Sequence, residues 1–260
     1  MSKIKSPEDI AGLIELGKRH AQVLEALSQA VKPGVSTAEL EERTLALIHE
    51  VPGDEPAFKN YKPYGASRPY PCALCTAPNN VVVHGIPTED IYILKEGDII
   101  GLDIGIKRNG LITDAGITVP VGNIDKDAVK LLRVTKEALF RGIAMARAGN
   151  HVGDIGNAIE SYVRKEGYGL VRELCGHGVG HSLHEEPQIP NYGKPGTGAK
   201  LEAGMVLAIE PMLNEGRGAV VFHRNGYSVS TADGSRSAHF EHDVIVTKSE
   251  PIILTLGNTR

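Results

Sequence analysis

Two apolar runs, residues 98–106 (DIIGLDIGI) and 111–119 (LITDAGITV), are joined through Arg108-Asn109-Gly110. Asn-Gly between two such runs is the strongest short hairpin signal, because a type I′ turn needs positive φ at both central positions. With Asn109-Gly110 as the two-residue loop, 108 faces 111, 105 faces 114 and 103 faces 116. Asp103 and Asp114 then lie on one sheet face as diagonal neighbours, roughly 7 Å apart. A slip of one residue would send them to opposite faces.

A lone aspartate in such a strand could sit at a solvated edge, since carboxylates are rarely buried unless paired. Two converging on one face need countercharge, because unpaired burial costs several kcal/mol per ion. Apart from Lys107 near the turn, no lysine or arginine is placed to supply it. The anomaly recurs at Glu210, which ends the apolar run 206–209, and at Glu241, which begins the run HDVIV. Two divalent cations would formally balance these four carboxylates, and bridging carboxylates hold two-metal hydrolytic pairs about 3.5 Å apart. One or two histidines commonly complete such a shell.

The stretch 175–187, CGHGVGHSLHEEP, offers His177, His181 and His184. Gly176, Gly178 and Gly180 argue against a helix, so the helical HExxH geometry is unavailable to His177 and His181. An HExxH pattern that would begin at His184 is interrupted by Gln188. In a regular strand His177 and His181 would share a face and His184 would oppose them, but a Gly-rich chain need not stay regular. Spacing alone does not choose the ligand.

Around these motifs the pattern predicts an amphipathic helix over Pro7–Ala30, opened by a Ser6-Pro7 cap, a second over residues 37–50, and a third over Val152–Glu166. A shift of 115 residues aligns Gly34 with Gly149, Glu39 with Asp154, Leu40 with Ile155 and Ile48 with Val163. This faint repeat predicts two similar α+β halves, approximately 1–120 and 121–260, within a single domain over residues 1–260. The 260 residues are 41% hydrophobic, which suits a globular chain, and three cysteines cannot complete a disulfide framework. MSKIKSPEDI lacks the features of a secretory signal and no apolar run is long enough to span a bilayer, so the expectation is a cytoplasmic protein without a membrane partner. A net charge of −4 gives no global field for nucleic acid, and no specific nucleic-acid partner is expected.

Asp103, Asp114, His177, Glu210 and Glu241, in this order and within LDIGI, TDAGIT, CGHGVG, IEPM and FEHDVIVT, make the chain resemble the methionine aminopeptidases of the bacterial type I class. HEEPQIPNYG and the HGIP that begins at His84 add to the likeness, which runs nearly from end to end. The resemblance implies the pita-bread fold, two pseudo-symmetric α+β halves with curved antiparallel sheet and outer helices around a dimetal site. It implies a bidentate Asp103, a bridging Asp114, His177 and Glu210 on one metal and a Glu241 that bridges both. The ions would be cobalt, manganese, iron or zinc; an oxygen-rich shell with one imidazole suits manganese, iron or cobalt better than a thiolate zinc site.

The implied reaction is metalloprotease removal of the initiator methionine from nascent chains, by hydrolysis of the first peptide bond ahead of a small second residue. Glu210 would carry the proton from water to the leaving amine, His184 would hydrogen-bond the developing oxyanion, and His84 would position the scissile amide. Tyr70, Cys75, Leu183 and Tyr227 would line the pocket for the methionine side chain. Leu183 stands where many members have phenylalanine and Tyr227 where many have tryptophan; both keep the lining apolar. The segment 57–70 is longer than the usual type I stretch. A monomer in transient contact with the ribosome is the expected assembly. His181 reads as structural, His151, His223 and His242 as surface or packing residues, and the lone CxxC at 72–75 as a weak zinc or redox signal. Two other readings compete. A proline-directed aminopeptidase of the same fold usually carries a large N-terminal domain, whereas only about a hundred residues precede Asp103. A catalytically dead binding module would not need all five ligand positions filled.

Overall fold

In the computed structural model, which describes residues 4–257, Ser6 opens α1 (Pro7–Ala30) with a reciprocal capping box to Asp9, and Ser36 opens α2 (Thr37–His49) with the same device to Glu39. The three residues at each end that the 1–260 domain reading includes lie outside this description. After α2 come β1 (Glu55–Pro56), β2 (Leu74–Pro78), β3 (Val81–Val83), β4 (Ile99–Arg108) and β5 (Leu111–Pro120). Then follow α3 (Lys126–Ile143), α4 (Val152–Glu166), β6 (Gly169–Leu170), β7 (Cys175–Gly178) and β8 (Glu185–Pro190). The chain continues through β9 (Val206–Ile209), β10 (Met212–Asn214), β11 (Val220–Phe222), β12 (Val229–Thr231), β13 (Ser237–His239), β14 (His242–Ile245) and β15 (Ile252–Ile253). Among the described residues no helix is long and apolar enough to cross a membrane.

All strand pairings are antiparallel. β4 lies between β2 and β5, with β1 beside its far end, and a five-stranded sheet runs β15-β14-β9-β7-β8. The β4–β5 hairpin has the expected register: Arg108 faces Leu111, Gly105 faces Asp114 and Asp103 faces Gly116. Asn109 and Gly110 have φ of 52° and 79°, the left-handed values of a type I′ turn. Each strand is one residue longer than its apolar run, β4 beginning one residue later and ending two later and β5 running on through Pro120, and α2 ends at His49, with Glu50 as its cap.

Both of these sheets have a helix-covered face. Leu102, Ile104 and Ile106 of β4 pack with Leu16, Val23 and Leu24 of α1 and Leu40 of α2. Leu207, Ile209 and Val244 pack with Leu131, Val134 and Ala138 of α3 and Ile155 and Ile159 of α4. Each such side chain gains about 1.5–3 kcal/mol on leaving water. On the other face the middle of β4 shows Gly101, Asp103 and Gly105, with Ile99 and Lys107 at its two ends. A Cβ at Gly101 would stand 2.9 Å from the Ala77 Cβ and one at Gly105 2.7 Å from the Phe58 ring, so neighbours close directly over the strand and leave one carboxylate between them.

α3 is missing from the helices placed by sequence, although Asp125 caps it and its buried positions, Ala128, Leu131, Val134, Thr135, Ala138, Leu139 and Gly142, keep helical spacing. The 115-residue shift carries α2 onto α4 and local chemistry follows. The Ser36 N–H donates to the Glu39 carboxylate at 2.8 Å, and the His151 N–H to that of Asp154 at 2.7 Å. Gly34 and Gly149, just ahead, have φ of 91° and 100°.

Candidate metal centre and substrate cavity

The hairpin face and the five-stranded sheet meet at a cavity of about 510 Å³. Asp103, Asp114, His177, Glu210 and Glu241 line it, as do His84, His184, Tyr70, Cys75, Leu183 and Tyr227. Every site residue named from the sequence therefore reaches one space. Glu210 directly follows β9 and Glu241 directly precedes β14, so both stand at strand ends rather than within strands.

Close backbone approach aims His177. β7 lies between β8 and β9, and a Cβ at Gly176 would come 2.3 Å from the Ala208 carbonyl oxygen, one at Gly178 2.5 Å from that of Glu186. Only glycine fits on either side of the histidine. Its Nδ1 sits 3.0 Å from the Gly178 carbonyl, so Nδ1–H donates there, and Nε2 faces Asp114 Oδ2 at 3.8 Å and Glu210 Oε1 at 3.7 Å. His184 does not point away from it: the rings meet edge to face at 4.4 Å. The intervening chain leaves the strand in a turn, where the Glu185 carboxylate accepts the N–H groups of His181 and Ser182 and is paired at 2.6 Å with the buried Lys5 ammonium. His181 points away to Asp9, 3.2 Å from its carboxylate.

The carboxylates are held from behind. Asp114 receives its backbone order from Asp243, whose Oδ2 accepts the Asp114 N–H at 2.7 Å, and the Glu241 N–H donates to the Gly116 carbonyl at 2.8 Å. The Asn191 amide donates to the Glu210 carbonyl at 3.1 Å. Cys75 is the ladder partner of Asp103 on β2, and the buried Glu41 carboxylate accepts the N–H groups of Ala73 and Leu74 just before it. The segment 57–70 closes through backbone bonds between residues 60–61 and Tyr70, presenting Tyr61, whose hydroxyl lies 3.0 Å from His184 Nδ1. Tyr70 and Tyr227 meet edge to face at 5.1 Å, and the Tyr227 hydroxyl donates to the Arg68 carbonyl.

Burial drives the acids up: it takes Asp103 to about 7, against a hydrogen bond with Asp114 that lowers it, and, with the charge of neighbouring carboxylates added, holds Asp114, Glu210 and Glu241 all well above their ordinary range. Burial, reinforced by neighbouring imidazoles, drives the histidines down, His177 to about 3 and His84 to about 4, so the rings are neutral at physiological pH. Among the described residues no lysine or arginine lines the cavity to relieve the acids. Buried Asp103 Oδ1 and Asp114 Oδ1 have no hydrogen-bond partner. Donor atoms of Asp114, His177 and Glu241 fall within 4.8 Å of one another, and so do those of Asp103, His239 and Glu241. Unpartnered acids, neutral imidazole and no counter-cation are the donor set that a divalent ion satisfies.

A profile of metallopeptidase family M24 matches residues 11–248. A methionine aminopeptidase of Clostridium perfringens is 43% identical over 253 residues, covering 97% of this chain and 98% of the relative. Methionine aminopeptidase 1 of Bacillus subtilis is also 43% identical, covering 96% and 98%. The crystal structure of a methionine aminopeptidase from Thermotoga maritima superposes with a TM-score of 0.92 at 41% identity, covering 98% and 99%. The chain belongs to metallopeptidase family M24, among the methionine aminopeptidases.

As an M24 chain it has the α+β pita-bread fold, and divalent-metal use comes with the family. Sequence reasoning named His177 as the one imidazole ligand, whereas the structure also brings a nitrogen of His239 within 4.8 Å of carboxylate oxygens of Asp103 and Glu241. It also passed over Asp243 and Tyr61. The HFEHD stretch contains two of the three, but only the folded sheets show which way they face.

Proposed function

We propose that the chain is a methionyl aminopeptidase, a metallo-hydrolase that removes the initiator methionine from nascent polypeptides with a small second residue. The observation that carries this reading is the juxtaposition of the buried carboxylate and imidazole cluster with an apolar pocket closed by Tyr70, Cys75, Leu183 and Tyr227. An unbranched thioether suits such a lining. Asp103, Asp114, His177, Glu210 and Glu241 would hold two divalent ions, cobalt, manganese, iron or zinc. When bound, these supply Lewis-acid polarisation of the peptide carbonyl and acidify water at neutral pH.

The remaining steps belong to the chain's own residues. Glu210, a carboxylate whose pKa burial raises, carries a proton from water to the leaving amine. His184, fixed at Nδ1 by the Tyr61 hydroxyl, turns Nε2 to the developing oxyanion. His84, held at a φ of 59° directly after β3, positions the scissile amide. The working unit is a single catalytic domain over 1–260, built of related halves at approximately 1–120 and 121–260, acting in the cytoplasm as a monomer in transient contact with the ribosome.

The test is hydrolysis by the metal-loaded protein of Met-Ala-Ser, Met-Lys-Ser and an Xaa-Pro peptide. Release of methionine from Met-Ala-Ser, with Met-Lys-Ser cleaved far more slowly and Xaa-Pro left intact, is expected. Cleavage of Xaa-Pro alone would replace the reading with a proline-directed peptidase, and cleavage of none with a binding module.

A further inference from the structure

His239 ends β13 with only 4% of its surface exposed, and its Nε2 has no hydrogen-bond partner. That nitrogen lies 3.6 Å from Glu210 Oε2 and 3.8 Å from Glu241 Oε2. Both distances exceed hydrogen-bond range. The distance to Glu241 falls within the roughly 3–4 Å that separates two donors when each sits about 2.0–2.2 Å from one ion. Together with Asp103 and Glu241, the ring nitrogen completes a triad whose donor atoms all fall within 4.8 Å.

The surroundings are shaped to hold the ring there. Gly116, the ladder partner of Asp103, lies beneath it; a Cβ at that position would come 2.9 Å from His239 Cε1 and 3.1 Å from Nδ1. The backbone is locked by Thr118, whose hydroxyl donates to the His239 carbonyl at 2.7 Å and accepts the His239 N–H at 2.9 Å. On the opposite strand His239 pairs with Met212, two residues after Glu210. A fixed, buried imidazole with an unpartnered nitrogen among carboxylates would be costly unless something occupied that nitrogen.

We propose that His239 is a second imidazole ligand of the centre, binding the ion held by Asp103 and Glu241. The inference rests on the metallo-aminopeptidase reading and adds to it a nitrogen donor that tilts the site away from manganese and toward borderline ions such as cobalt, iron and zinc.

The experiment uses the full chain loaded with Co²⁺ and with Mn²⁺, as parent and as His239→Gln, which keeps a polar side chain of similar reach. Proton NMR of the Co²⁺ form counts the strongly shifted ring N–H signals of ligating imidazoles, and calorimetry gives the affinities. Two such signals are expected in the parent and one in H239Q, with Co²⁺ affinity lowered about tenfold or more and Mn²⁺ affinity lowered less. Gly116→Ala, which leaves His239 in the chain but displaces its ring, should shift both readouts the same way. A single imidazole signal in the parent would overturn the inference without use of any variant, as would equal Co²⁺ affinity in parent and a folded H239Q. A parent that takes up neither ion would sink the metallopeptidase reading and this inference together.

Discussion

Asp243 has no solvent exposure, and one of its carboxylate oxygens has no partner while the other accepts the Asp114 N–H. It lies on β14, opposite Ala208 of β9, so one hydrogen bond ties the five-stranded sheet to the residue of the hairpin that carries a site carboxylate. Burial raises its pKa well above the carboxylate range, and the Asp114 N–H works against that shift. An amide oxygen can accept the same N–H, whereas alanine leaves a buried donor without a partner, at about 1–3 kcal/mol. Asp243→Ala should therefore lower stability in urea unfolding by about that amount and weaken metal binding in calorimetry about 10–100-fold, as loss of a ligand's supporting partner does. Asp243→Asn should keep most of both. Equal losses in the two variants would show that the charge, not the acceptor, holds Asp114.

At the scale of elements, α1 is fastened to the hairpin through a histidine. His20 is fully buried, and its Nδ1 lies 2.9 Å from the Thr113 hydroxyl on the helix-facing side of β5. Burial, with His242 facing it, lowers the pKa of His20 to about 3, against about 6.5 in the unfolded chain. The unfolded chain then binds the extra proton between these values, so this contribution is complete above about pH 6.5 and is lost as pH falls toward 3. His20→Asn retains a partner for Thr113 and removes the titration; its denaturant stability should decline less steeply from pH 6.5 to 4 than the parent's. Parallel declines would place the acid sensitivity elsewhere. The contact also marks a boundary of what a sequence discloses. Ser6, Ser36 and Asp154 announce their helices within four residues, and Asn109-Gly110 sets the hairpin register, because caps and turns are local chemistry. The cap and spacing of α3 were equally local and equally readable. That His20 would meet Thr113, or that His239 would settle over Gly116, depends on sheets and helices that close across more than ninety residues.

The whole molecule makes one centre out of two sources. Asp103 and Asp114 come from the hairpin of the first half, while His177, Glu210, Glu241 and His239 come from strands and strand ends of the second. The acids were legible because Asp103 and Asp114 interrupt apolar runs and Glu210 and Glu241 stand at the ends of two others, where a carboxylate is out of place. The pocket was legible only through resemblance, since Leu183 and Tyr227 are unremarkable apolar residues until the closure at residues 60–70 brings Tyr70 against Tyr227, in the apolar cluster that also holds Leu183. A centre assembled from both halves exists in the folded chain and not in the unfolded one, so metal binding adds directly to folding stability. Free ion at a hundred times its dissociation constant contributes about 2.7 kcal/mol. In a chain of this size each kcal/mol moves the melting temperature roughly 2–4 °C, so chelation should lower it by roughly 5–10 °C for each such site emptied, reversibly on restoring the ion. Circular dichroism melts of parent and Glu241→Gln, with and without chelator, separate the causes. The parent should lose that increment, and the variant, with a weakened site, should lose less of it. If chelation left the parent's melt unchanged, the acids would have to be accommodated by proton uptake alone, and the halves would close without help from metal.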